Sequence, residues 1–147
     1  MADGFYQHGV KHFARGNFAW LFDATPTSGE NTAFRTYLVD TADYTVNLAT
    51  HEFRDTGTIS AAAQEEVSGL MTLVDAAIDG VLDASDVVFT GTAGDTCEGV
   101  LLYQDEGAAA SDRLLIWWDT GAGLPVTLGG DVTVQWGNVA GTLLARI

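Results

Sequence analysis

A single cysteine, Cys97, is the whole thiol content of this 147-residue chain. That excludes an internal disulfide framework and any zinc site built from several thiolates. Prolines number two, Pro26 and Pro125, and both fall in predicted loops. Positive charge is as scarce. Lys11, Arg15, Arg35, Arg54, Arg113 and Arg146 stand against 20 acidic residues, for a net charge of −14. Phosphate backbones and anionic membranes repel such a surface, which argues against nucleic acid and membrane as partners. The six cations are scattered, with no stripe of basic and aromatic residues joining them. No apolar run approaches the roughly 20 residues needed to span a bilayer. The start, Met1 to Gly4, lacks a basic segment and an apolar core, so no secretory signal is expected. Also missing are a Gly-x-Ser-x-Gly elbow, a phosphate loop ending in Gly-Lys and a dinucleotide fingerprint.

What is present is apolar and strand-forming. Hydrophobic residues make up 47%, and a domain of this size buries about 70% of its unfolded surface without needing staples. Residues Gly4 to Arg15 form the best helical pattern, with Phe5, Gly9 and Phe13 at four-residue intervals and Tyr6 and Val10 beside them. Asp3 is placed to cap its start, and Gly16-Asn17 ends it. After it the period changes to two. Strands are predicted over Phe18–Phe22, Phe34–Val39, Val67–Val74, Ile78–Leu82, Val87–Thr90, Cys97–Tyr103, Leu114–Trp118, Val132–Trp136 and Thr142–Ile147. Ser60 to Glu66 reads as one helical turn with Ser60 as cap. The expected architecture is mainly β: an antiparallel sandwich, jelly-roll-like, with a short N-terminal helix. Residues 1–16 make a helical arm and residues 17–147 a single β-rich domain.

Leu114-Leu115-Ile116-Trp117-Trp118 is apolar on both faces and predicts a central strand covered on both sides. If this chain leaves one side bare, a second subunit must cover it. The N-terminal segment admits two readings, a helix closing its own domain or an arm that docks on a neighbour. Lys11 and Arg15, on an otherwise acidic protein, select the arm, with Phe5, Tyr6, Val10 and Phe13 as its apolar anchors. Trp20, Trp117 and Trp118 complete the expected interface set.

The candidates for chemistry are few. Asp55-Thr56-Gly57 and Asp119-Thr120-Gly121 both match the aspartic-protease triplet, in which paired carboxylates activate water. Only the second follows an apolar strand, and the same three residues are common in tight turns. His8 and His12 have a metal-ligand spacing, but Gly9-Val10-Lys11 between them carries no acid and one cation. Cys97 reads as a small core residue. Asp83-Ala84-Ser85-Asp86, Asp95 and Glu98 offer oxygens to calcium without the alternate spacing of a helix–loop–helix site. No catalytic residue, metal ligand or cofactor site is assigned, and the expectation is a protein that is not an enzyme.

Tyr37 to Phe53 (YLVDTADYTVNLATHEF) resembles the opening of a family of small structural proteins of tailed bacteriophages and prophages. There a valine–aspartate strand end runs into a D-Y-T-x-x-L-x-x-H-x-F segment. The resemblance continues in order through Asp83–Phe89, Cys97–Asp105, Ser111–Asp119, Gly123–Thr127 and Gly130–Trp136. The acidic stretch Ala61–Glu66 and the doubled Trp117-Trp118 depart from it. The resemblance implies a virion component on the outer surface of the phage head. It would be a capsid decoration (cement) protein that binds the major capsid protein, and most naturally a homotrimer. Alternatives are a tail or neck accessory subunit, or a carbohydrate- or receptor-binding sandwich with Trp20, Tyr44 or Trp136 as a platform.

Overall fold

The computed structural model describes residues 3–14, 34–55, 59–60, 63–69, 71, 73–74, 81–136 and 145–146. Its elements are β1 (Gly4–Phe5), α1 (Gln7–Ala14), β2 (Phe34–Val39), β3 (Gln64–Val67), β4 (Leu73–Val74), β5 (Val81–Ala84) and β6 (Val87–Phe89). They continue with β7 (Thr96–Cys97), β8 (Gly99–Gln104), β9 (Arg113–Trp118), β10 (Val126–Thr127), β11 (Val132–Val134) and β12 (Ala145–Arg146). The fold is mainly β, all described pairings are antiparallel, and one short helix lies near the N-terminus.

The main sheet has five strands in the order β1-β9-β8-β2-β3. Its middle is buried on both faces by this chain alone. On one face Phe34, Leu38, Val100, Leu102 and Ile116 pack with residues of the β6–β11 and β7–β10 ribbons, among them Phe89, Cys97 and Leu128. On the other, Tyr37, Val39, Leu101, Tyr103, Leu114 and Trp117 meet Tyr6, Tyr44, Val46, Ile59 and Ala63. The apolar run of β9 therefore calls for no second subunit.

The N-terminal segment departs from the expected helical arm. Gly4 and Phe5 pair with Trp117 and Ile116 as an edge strand. Phe5 then joins one core face and Tyr6 the other, as strand alternation requires. The helix begins only after Tyr6, whose carbonyl accepts the Val10 N–H. Its first free N–H groups are satisfied by tertiary partners rather than by a capping side chain: Tyr6 donates to Leu115 O and Gln7 to Leu48 O. The expected strand Phe18–Phe22 lies outside the described residues.

Two glycines allow the close approaches on which this packing rests. A Cβ on Gly9 would stand 2.8 Å from the Leu114 carbonyl oxygen, so α1 lies directly on the β9 backbone. A Cβ on Gly99 would stand 2.1 Å from the Trp117 ring, which fills the notch. Where Ser60–Glu66 reads as a helical turn, only the turn itself is present. The Ala63 N–H bonds to both the Oγ and the carbonyl of Ser60. Gln64 to Val67 then pair with β2, because the open edge of that strand offers a ladder that local propensity does not. The pairing skips a residue between Leu38 and Val39, leaving Glu65 in a bulge.

An exposed helical Gly→Ala change ordinarily stabilises by up to about 1 kcal/mol. Here Gly9→Ala should lower the melting temperature, because a backbone carbonyl cannot move aside, and Gly99→Ala should lower it further. Deleting residues 2–15 removes an edge strand and the fully buried Tyr6, and Tyr6→Ala alone should cost about 3–5 kcal/mol. Thermal melts of the four variants check these outcomes, and unchanged melting of the deletion would restore the free-arm reading.

Candidate functional site

The residues expected to form an interface divide sharply. Tyr6 and Trp117 are 0% exposed inside this chain's own core, so neither offers a surface to a shell or neighbour. Phe5 is half-buried. Val10, 45% exposed, and Lys11 point outward from α1. Phe13 lies in α1, though its side chain, Arg15 and Trp20 are outside the described residues. Trp118 is half-buried against Trp136, with ring centroids 5.0 Å apart and planes at 53°.

Asp3 does not cap the helix. Its Oδ1 accepts the N–H groups of Asp119 (2.7 Å) and Thr120 (3.0 Å), and its other oxygen takes the Thr120 hydroxyl. The second Asp-Thr-Gly triplet is thus a turn pinned by a carboxylate from the opposite end of the sequence. Partial burial works to raise the Asp3 pKa, but these donated hydrogen bonds outweigh it and hold the group below its ordinary value. Of the first triplet only Asp55 is described, next to Arg54, whose N–H bonds to Asp112 O before the start of β9. The two aspartates thus sit at opposite ends of a strand roughly 17 Å long, too far apart within one chain to share a proton.

The histidines also have occupations. His8 Nδ1 lies 3.2 Å from Glu52 Oε2, while the His12 side chain is outside the described residues. His51 Nδ1 bonds to the Tyr44 hydroxyl at 2.9 Å, and that hydroxyl to Tyr6 Oη, also at 2.9 Å. Cys97 is fully buried, and desolvation with the nearby Glu65, Glu98, Asp40 and Glu66 pushes its pKa up to about 12. It is no nucleophile.

Two features escape a linear reading. Asp40, Glu65 and Asp95 bring carboxylate oxygens within 4.8 Å of one another, a spacing one cation could bridge. Of the residues expected to offer oxygens, Asp95 belongs to this group, while Glu98 is occupied by the Thr41 N–H and hydroxyl. Asp86 instead accepts the Trp136 N–H. The bulge that re-aims Glu65 has no signature in the local sequence, and the three acids are far apart along the chain. The second feature is a cleft of ≈ 600 Å³ in which Trp118 and Trp136 meet Leu124, Val126 and Val132, with Gln135 exposed in its wall. Both indoles are conspicuous in the sequence; their contact across two turns is not. No protein-family model matches the chain, and no curated protein matches it.

Asp3→Ala should release the turn at Asp119–Gly121 and cost about 1 kcal/mol, as loss of a helix cap does. Asp105, held low by its bond from Arg35, behaves like Asp3. For both carboxylates the stabilisation is complete above the ordinary aspartate value of 3.8 and is lost as pH falls through the lower folded value. Acid melts of wild type and Asp3→Ala should therefore converge below that range. A constant gap between them down to the lowest pH would refute the assignment.

Proposed function

We propose that this protein is a virion structural subunit of a tailed phage, a decoration protein that binds the major capsid protein on the outside of the head. One observation carries the reading: the large apolar and aromatic residues of the segment with the family resemblance, Tyr37–Phe53, are built into the scaffold. Tyr37 stacks on Tyr103 with centroids 5.1 Å apart, Tyr44 joins Tyr6 to His51, and Phe53 lies under the Arg113 guanidinium at 4.9 Å. Leu48 packs against the same core and holds the N-terminal segment through its carbonyl. A motif whose large side chains serve the fold suits a subunit whose work is done by its surface. The −14 charge keeps that surface from adhering unspecifically, and many weak contacts on one particle add through avidity. Trimerisation belongs to this proposal on the resemblance alone. With Tyr6 and Trp117 buried, the docking face narrows to the outer side of α1, where Val10 and Lys11 stand exposed.

A second reading rests on the cleft beside Trp118, whose half-buried indole suits the apolar face of a sugar ring, whereas Trp136, expected as part of the platform, is buried behind it. Binding on a glycan array that is lost in Trp118→Ala would favour it.

The test is co-sedimentation with undecorated phage heads, together with sedimentation velocity of the free protein. The expected result is saturable binding and a mass three times the 15.6 kDa of one chain. Val10→Ser with Lys11→Glu should abolish binding at an unchanged melting temperature, because both side chains are exposed. A monomer that ignores every head tested would defeat the proposal.

A further inference from the structure

We propose that one proton taken up at His51 unfastens the N-terminal segment from the sheet, because the Tyr6–Tyr44–His51 chain has acceptors for two protons and not for three. The argument is a count. Tyr6 is 0% exposed and Tyr44 2%, and among the described residues the Tyr6 hydroxyl has one partner, Tyr44. A buried hydroxyl proton needs an acceptor, so Tyr6 donates to Tyr44, and Tyr44 donates to His51 Nδ1. This fixes the neutral ring's proton on Nε2.

Imidazolium carries protons on both nitrogens. Three protons, from Tyr6, Tyr44 and His51 Nδ1, then share two contacts, and one is left without an acceptor. The imidazolium's charge-assisted bond to Tyr44 Oη is the stronger of the two contacts, so Tyr44 turns its proton toward Tyr6, and the Tyr6 hydroxyl finds water as acceptor when the Tyr6–Tyr44 contact opens. Tyr6 is the residue between β1 and α1, and its own N–H and that of Gln7 bond to Leu115 O and Leu48 O. Opening at Tyr6 therefore loosens the attachment of the whole segment.

The surroundings do little to oppose this. Tyr44 faces the ring from its own loop, at 5.6 Å between centroids, with Trp117 of β9 edge-on behind it. The adjacent Glu52 is engaged by His8 of α1 and Arg113 of β9, and Arg54 by Asp112. Burial lowers the His51 pKa. The neutral ring is thus the form the fold prefers, and this stabilisation declines as pH falls below the ordinary histidine value of 6.5.

The experiment is amide hydrogen exchange read by NMR on the full chain from about pH 7.5 to about 5, with the His51 ring titrated in the same samples. Protection of the Tyr6 and Gln7 amides should fall about tenfold with the midpoint of His51, while amides of β8 stay protected. His51→Asn puts an oxygen near Nδ1 and cannot take up the proton, so its protection should stay flat; the remaining acids titrate alike in both proteins. Should that variant not fold, the shared midpoint in the wild type decides the matter. A His51 ring that titrates without any change at Tyr6 and Gln7, or an equal loss in His51→Asn, would overturn the proposal.

Discussion

Strands β8 and β9 have no solvent face, and that constraint organises the molecule. Each large side chain they bury contributes about 1.5–3 kcal/mol only while both sides remain dry. One side is closed by the two-stranded ribbons and the other by Tyr6 of the N-terminal segment with Tyr44, Val46, Ile59 and Ala63. Trp117 shows how tight the fit must be. Its indole is fully buried, and the space for it exists because Gly99 on the neighbouring strand has no side chain. Losing either cover would expose a strand with consecutive tryptophans, an invitation to edge and face aggregation.

Polar groups fix where the second cover sits. Asp112 is wholly buried, and Arg54 meets it at 2.8 Å through Nε and through Nη2. The same guanidinium donates to Tyr37 Oη and Gln64 Oε1 and lies over the Tyr37 and Tyr103 rings, 5.6 Å from each. A buried ion pair of this kind adds little net stability over apolar residues of equal size, yet removing one partner costs about 3–5 kcal/mol. Its contribution is position. It sets the 52–55 stretch against β2, β3 and β9 at one register, and Glu52 then reaches both His8 and Arg113.

How much of this could be read from residues alone depends on whether the decisive partner is local. β2 is found over the same six residues the alternation marks, and β9 extends the expected strand by Arg113 only. Both are dense in β-branched, aliphatic and aromatic side chains, so burial and propensity agree. β1 was illegible because Phe5 and Tyr6 satisfy a helical period as well as a strand's, and only pairing with β9 decides between them. Gln64-Glu65-Glu66 favours a helix locally and becomes a strand because β2 has an open edge. Asp3 has the composition of a helix cap, yet its acceptors are spent on a turn more than a hundred residues later. The same non-locality hides the Asp40–Glu65–Asp95 group and the Trp118–Trp136 cleft.

The charge economy follows from the same geometry. Arg35, Arg54 and Arg113 are each drawn into pairs with Asp105, Asp112 and Glu52 that hold loops to the sheet. Cations so engaged cannot balance the acids at the other end of β2, where burial first, and then Glu65, Glu98, Asp40 and Glu66, raise the pKa of Cys97. A net charge of −14 is thus sharpened locally into a half-buried acidic corner at the strand edge made of Gln64 to Val67. Exposed edges invite pairing with another chain, and a bulge, a short length and two glutamates are the devices that discourage it. β3 has all three. The physical consequence is that this edge of the main sheet resists growth by strand addition.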